Sequence, residues 1–151
     1  MQSIALALHL LAAVIWVGGM FFSYALLRPV LGTIDEPQRL VIWMKVFKKF
    51  FPWVWLSIAV LLATGFYMIF AMGGFAVISN SVITMMVLGI VMMLIFKFIY
   101  LAPFPHLCRG IKEEKWNVAA YALGTIRKLI AVNLVLGTVV FVVAVALTGP
   151  F

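Results

Sequence analysis

Polar side chains are sparse along this chain and fall in clusters, leaving four long apolar stretches at about 3–27, 52–72, 82–102 and 128–148. Each is close to the ~20 residues that a helix needs to cross a ~30 Å hydrocarbon core. The pattern predicts an all-α protein in which 1–151 forms a single transmembrane domain, a four-transmembrane-helix bundle. In the first stretch, LHLLAAVIWVGGMFFSYALLR, His9 is followed at helical spacing by Ala13, Trp16, Met20 and Ser23, with Gly18 and Gly19 beside that face. Small residues let a second helix come close, so this side is expected to meet protein rather than lipid.

The punctuation between the stretches predicts where the helices end. Pro29 interrupts the first, and Gly73-Gly74 stops the second before a short polar turn, Ser79-Asn80-Ser81. Pro103 and Pro105 end the third, which is rich in methionine, and the fourth leaves the membrane at Gly149-Pro150 with Asn133, Gly137 and Ala144 on one side. Two segments have two readings each. Residues 38–50 group Lys45, Lys48 and Lys49 on one face and carry Leu40, Val41, Trp43, Phe47 and Phe50, which suits an amphipathic helix lying in the cytoplasmic interface. They equally suit an extension of the second helix, although Pro52 fits a first helical turn and Trp53 and Trp55 an aromatic belt at that depth. Residues 113–125 read as a loop or short surface helix, or as an extension of the fourth helix with Gly124 as a weak point.

Composition excludes a soluble globular domain: the chain is 67% hydrophobic and 10% charged, with mean hydropathy +1.25. The net charge of +7 would suggest nucleic acid for a soluble protein. Here every Lys and Arg except Lys97 lies in or beside two loops, 28–51 and 103–128, so the expected partner is the lipid bilayer and no nucleic acid. By the positive-inside rule both loops are cytoplasmic and the topology is N-out/C-out, with both termini periplasmic or extracellular. The first stretch lacks the basic leader and short apolar core of a cleavable signal peptide and is read as retained. Cys108 is the one cysteine, which excludes an intrachain disulfide and a multi-cysteine metal site.

Aligning the four spans by depth, at ~1.5 Å per residue, gives two polar layers. Trp16, Ser57, Lys97 and Asn133 share an inner level and are read as a structural polar layer. Lys97 either snorkels to the interface, two turns away, or sits over the Trp16 ring with Asn133 as acceptor. A cation near a helix centre costs about 2.5–3.5 kcal/mol on insertion scales, so Lys97 needs one or the other, and its closeness to the cytoplasmic end of the helix makes snorkelling the favoured reading. In the outer half, His9 is level with Thr64 to Met68 and with Met85 to Gly89. A neutral imidazole beside thioethers makes His9, Met85 and Met86 candidate metal ligands, and His9, Met68, Met85 and Met86 candidate cofactor-binding residues, for copper or haem b. The plainer reading of the same residues is a histidine hydrogen-bonded to a neighbouring helix among packing methionines. No CxxC, carboxylate pair or phosphate loop accompanies them, and His106 at the cytoplasmic surface is too distant to share a small ligand with His9.

Four pieces, LHLLAAVIWVGGMFF, the basic loop into FFPWVW, the ATG of the second helix and IRKLIAVNLVLG, resemble the CopD-like family of bacterial integral membrane proteins, in particular its short four-helix members. The resemblance implies a multi-pass protein of the bacterial inner membrane linked to copper handling. A more distant likeness, carried by His9, Trp16 and Lys97, is to the HemJ family of membrane protoporphyrinogen oxidases. The resulting expectation is a protein handling copper or another metal in the outer half of the bundle. The alternatives are a haem b redox protein or HemJ-like oxidase, and a small structural partner of a larger membrane complex. A non-enzymatic role is preferred; the enzymatic alternative is a membrane oxidoreductase acting on a porphyrinogen or quinol. Four helices enclose little room for a pathway, so a homo-oligomer or membrane complex is expected.

Overall fold

The first apolar stretch forms α1 (Gln2–Phe21), which runs without a break through a π-helical turn (Phe22–Leu27) into the short α2 (Arg28–Leu31). The π turn follows from Ser23, whose hydroxyl donates to the Gly19 carbonyl at 2.8 Å and competes with the normal backbone ladder. The Arg28 N–H accordingly reaches back five residues to the Ser23 carbonyl. Pro29 sits in the first turn of α2, so it begins a last turn of helix rather than ending the span. The computed structural model describes residues 1–148, and the expected exit at Gly149-Pro150 lies outside them.

The second span is far longer than its apolar core. Helix α3 (Glu36–Ala71) is continuous over 36 residues, about 54 Å at the usual helical rise. Residues 38–50 are therefore an extension of the second helix, which corrects the separate interfacial helix. The reason is packing: Leu40, Trp43, Phe47 and Phe51 are all buried, while Lys45, Lys48 and Lys49 occupy the exposed face. Pro52 is correspondingly inside α3 and not in a first turn. Its missing N–H removes one ladder bond, and the helix is held through that point by Phe51 and Val54, buried on either side.

Helix α3 stops where glycine allows it. Gly73 and Gly74 have positive φ, and the Gly74 N–H closes back on the Ile69 carbonyl at 2.9 Å. Helix α4 (Asn80–Leu101) starts behind Ser79, whose hydroxyl accepts the Val82 N–H. The expected turn residues Asn80 and Ser81 are already helical. Pro103 and Pro105 end α4 as expected, but they also open a new helix, α5 (Pro103–Lys112), because proline is tolerated in a first turn. A tight turn at 113–115, with Glu114 at φ 55° and Lys115 N–H bonded to the Gly110 carbonyl, leads into α6 (Trp116–Thr148). Residues 116–125 thus extend the fourth helix, and Gly124 does not interrupt it.

Helix α1 packs antiparallel on α3, and α4 and α5 pack on α6, with α6 also touching α1 and α3. Four segments, Gln2–Leu31, Glu36–Ala71, Asn80–Lys112 and Trp116–Ala146, are long and apolar enough to cross a membrane. The densest core lies toward the charged end, where Trp43, Phe47, Leu107, Ala119, Ala122, Leu123 and Ile126 are buried. An aromatic chain continues it: Phe51 stacks on Phe47 at 5.2 Å and meets Phe96 and Phe104 edge-on. Along the spans, Leu11, Val14, Leu56, Leu94 and Val135 point outward, as expected for helices surrounded by lipid.

Candidate functional site

Helix α1 presents Ala12, Trp16, Met20 and Ser23 to the bundle interior, with His9 and Ala13 half-buried on the same side. Of the two adjacent glycines, only Gly19 serves a close approach. A Cβ there would run into the Phe50 ring, whereas one on Gly18 would meet nothing.

At the end without charged side chains the α1–α3 contact forms the setting of His9. Its Nδ1 lies 2.8 Å from the Thr64 hydroxyl. Thr64 has one proton to give, and the Val60 carbonyl receives it at 2.6 Å, so the hydroxyl oxygen accepts from His9. The imidazole therefore carries its proton on Nδ1, and Nε2 keeps a free lone pair. Gly65 lies beside the ring: a Cβ at that position would stand 3.5 Å from His9 Cε1, an ordinary van der Waals contact. Met68, four residues beyond Thr64, lies one turn further along α3 and is half-buried.

The other predicted residues divide. Met85 and Met86 are half-buried on α4, a helix that packs chiefly against α6 and α5 rather than α1. The structure thus joins His9 to Thr64 and Gly65 directly, leaves Met68 one turn further along α3, and places the two α4 methionines on a different helix pair. Among the described residues no cluster of three or more His, Cys, Asp or Glu side chains could hold a metal ion. Any ion held here would depend on one imidazole and thioethers, a soft donor set suited to Cu(I).

In the inner layer Trp16, Ser57 and Asn133 are buried and Lys97 is not. Trp16 meets Phe96 edge-on at 6.2 Å, and the Asn133 amide donates to the Met92 carbonyl at 3.1 Å, tying α6 to α4. Lys97 is exposed, and among the described residues no hydrogen bond or ion pair joins it to Asn133. His106 is exposed and bonded to the Ala102 carbonyl at 2.7 Å, on the α5 side of the molecule.

The role of Thr64 escaped the sequence-level reading, which placed it only at the depth of His9. The signal was present in the ATG stretch: a threonine and a glycine side by side on an apolar helix supply an acceptor and a flat surface for a ring.

No curated protein and no solved structure matches the chain. A family model described as "Copper resistance protein D" matches residues 44–147, from within α3 to the end region of α6. That range includes Thr64, Gly65, Met68, Met85, Met86 and Asn133, and it leaves α1 with His9 outside. The match spans more than half of the chain, which therefore belongs to the copper resistance protein D family.

Proposed function

We propose that this protein handles copper as Cu(I) in the half of the bundle away from the charged loops, with His9 as the principal ligand. The observation that carries the reading is the His9–Thr64–Val60 relay, which commits the Nδ1 proton and leaves Nε2 unprotonated for a metal. A hydrogen bond at the non-ligating nitrogen also orients the ring and raises its basicity, as it does for most metal-bound histidines. Met68 would supply a thioether from the same helix pair, whereas Met85 and Met86 belong to the α4–α6 pair and are not assigned to this ion. Thioethers favour Cu(I) over harder ions, and an apolar surround disfavours the doubly charged state.

The charged end, with Lys45, Lys48, Lys49, Arg109, Lys112 and Lys115, is assigned to the cytoplasm on its excess of Lys and Arg. The copper-binding half then faces the periplasmic or extracellular side of a bacterial inner membrane. Several copies, or a partner complex, would build any route for the ion, since four helices enclose little room for one.

The test is a Cu(I) titration of the purified full chain against a competing chelator. Binding that His9→Ala abolishes and Met68→Leu weakens supports the reading. A wild-type protein that takes up no copper ends it, and a Soret band in the same preparation would transfer His9 to haem.

A further inference from the structure

Three arginines from three separate helical segments converge at the charged end of the bundle. Arg28 follows the π turn of the first segment, with its guanidinium carbon 5.0 Å from the centroid of the Tyr24 ring. Arg39 lies in the first turns of α3 and Arg127 in α6, both half-buried. Arg28 and Arg39 are close enough for their charges to act on Arg127, and the Tyr24 side chain acts on it as well. Ser23, Tyr24, Arg28, Trp43, Arg127 and Ile130 line a narrow cleft of about 10 Å³ between these segments.

Nothing of opposite charge answers them. Among the described residues the one ion pair is Lys115–Glu113, and the remaining acids, Asp35, Glu36 and Glu114, pair with no arginine. Arg39 meets Asp35 only through the backbone, its N–H bonding the Asp35 carbonyl. Like charges held together at a membrane boundary repel, and partial burial strengthens the repulsion. A fold that draws three guanidinium groups together without a carboxylate leaves room for an external counterion.

We propose that Arg28, Arg39 and Arg127 form a phosphate-binding site at the charged end of the bundle, taking the phosphate of an anionic phospholipid headgroup or a free phosphate. Guanidinium forks match phosphate oxygens two at a time, and an anion with several oxygens can be shared among forks arriving from three directions. The cleft admits about one water-sized atom, so a phosphate oxygen enters it and the rest of the group caps its mouth. The position suits a lipid source: Tyr24 lines the cleft, Leu26 and Val30 of the same segment are exposed, and basic pockets between spans bind anionic headgroups. The π turn contributes by re-aiming Tyr24 and Arg28, a recurrent use of such turns at binding sites.

The full chain in detergent, examined by native mass spectrometry with phosphatidylglycerol, diacylglycerol or inorganic phosphate, tests the site. Phosphatidylglycerol should be retained over diacylglycerol, and Arg39→Gln and Arg127→Gln should each weaken it roughly fivefold. The exposed pair Lys45→Gln/Lys112→Gln removes two charges from the same end and should leave binding within about twofold, since screened surface charges act weakly at a distance. Displacement of the lipid by millimolar inorganic phosphate assigns the site to free phosphate; retention of the lipid assigns it to the headgroup. Should the glutamine variants fail to fold, Arg39→Lys and Arg127→Lys keep the charge but lose the fork, and they should still bind more weakly than wild type. Equal loss in the lysine-pair variant, full binding in the Arg→Lys variants, or no preference over diacylglycerol would overturn the proposal.

Discussion

The His9 Nδ1–H donates a hydrogen bond to the Thr64 hydroxyl, which itself donates to the Val60 carbonyl. The pair lies across the α1–α3 contact, so one hydrogen bond both couples two spans and selects an imidazole tautomer. A histidine buried for packing alone would need only the first of these effects. The second matters when Nε2 has a ligand to bind.

Thr64→Val separates the two roles, because it keeps the shape and removes the acceptor. Copper affinity is expected to fall about 10- to 100-fold, the usual loss when the partner of a ligating histidine is removed. His9→Ala should abolish binding outright. Thr64→Ser, which restores the oxygen, should recover most of the affinity in the same chelator competition. Equal affinities for Thr64→Val and wild type would make the hydrogen bond purely structural.

Two glycines near the charged end should respond to alanine in opposite directions. A Cβ on Gly110 would lie 2.8 Å from the backbone nitrogen of Ala119 and 3.1 Å from its Cα, where only a shift of α5 against α6 gives relief. Overpacking of this kind costs about 1–3 kcal/mol, more than the ~1 kcal/mol that alanine gains over glycine within a helix. Gly124 meets nothing within 4 Å, so Gly124→Ala gains the helix preference without a clash. Thermal melting in detergent should rank Gly124→Ala above wild type and Gly110→Ala below it.

The number and order of spans were legible in the sequence because apolar runs of membrane length leave few alternatives. Their ends at the charged side were not, because an amphipathic stretch beside an apolar run suits an extended helix and a separate surface helix equally well. Around Lys45 and Lys48, and again around Lys115 and Trp116, polar residues occupy only the outer face while Trp43, Phe47, Ala119 and Ala122 remain buried. Amphipathic helices that pack on one another look, residue by residue, like helices that lie on a membrane. His9 was legible as an isolated polar group, whereas its partner required knowing which helix α1 packs against. Depth alone put Thr64, Met68, Met85 and Met86 on equal terms, and only the lateral arrangement divides them. Lys97 shows the same limit in reverse: its depth matched Trp16 and Asn133, but it is exposed.

The turn between α5 and α6 offers a pH test outside the spans. Glu113 accepts a hydrogen bond from Lys115 at 2.7 Å, and this contact, with the Lys115, Arg109 and Lys112 charges, holds its carboxyl below the usual value. A depressed carboxylate favours the folded turn above the unfolded pKa and loses that benefit as pH falls through the folded value. The pair is exposed, so the effect should be confined to the turn. Lys115→Ala is expected to raise the Glu113 titration midpoint, followed by carboxyl NMR shifts, and to leave the melting temperature of the bundle unchanged.

Asn133 supplies the last test. Its amide nitrogen donates to the Met92 carbonyl, while its Oδ1 is fully buried with no protein partner. Hydrogen bonds between spans average about 0.6 kcal/mol, and an unanswered buried acceptor costs about 1–3 kcal/mol. The two nearly cancel or leave a deficit, so Asn133→Leu should be neutral or slightly stabilising where the larger side chain fits. Asn133→Ala instead opens space beside Gly137, against which Val17 and Met92 pack, and should destabilise by about 2 kcal/mol or more through the cavity. Unfolding of both variants in mixed detergent reads the difference. A leucine variant as unstable as the alanine one would mean that Oδ1 is satisfied by an internal water, and that Asn133 anchors a hydrated node between α4 and α6.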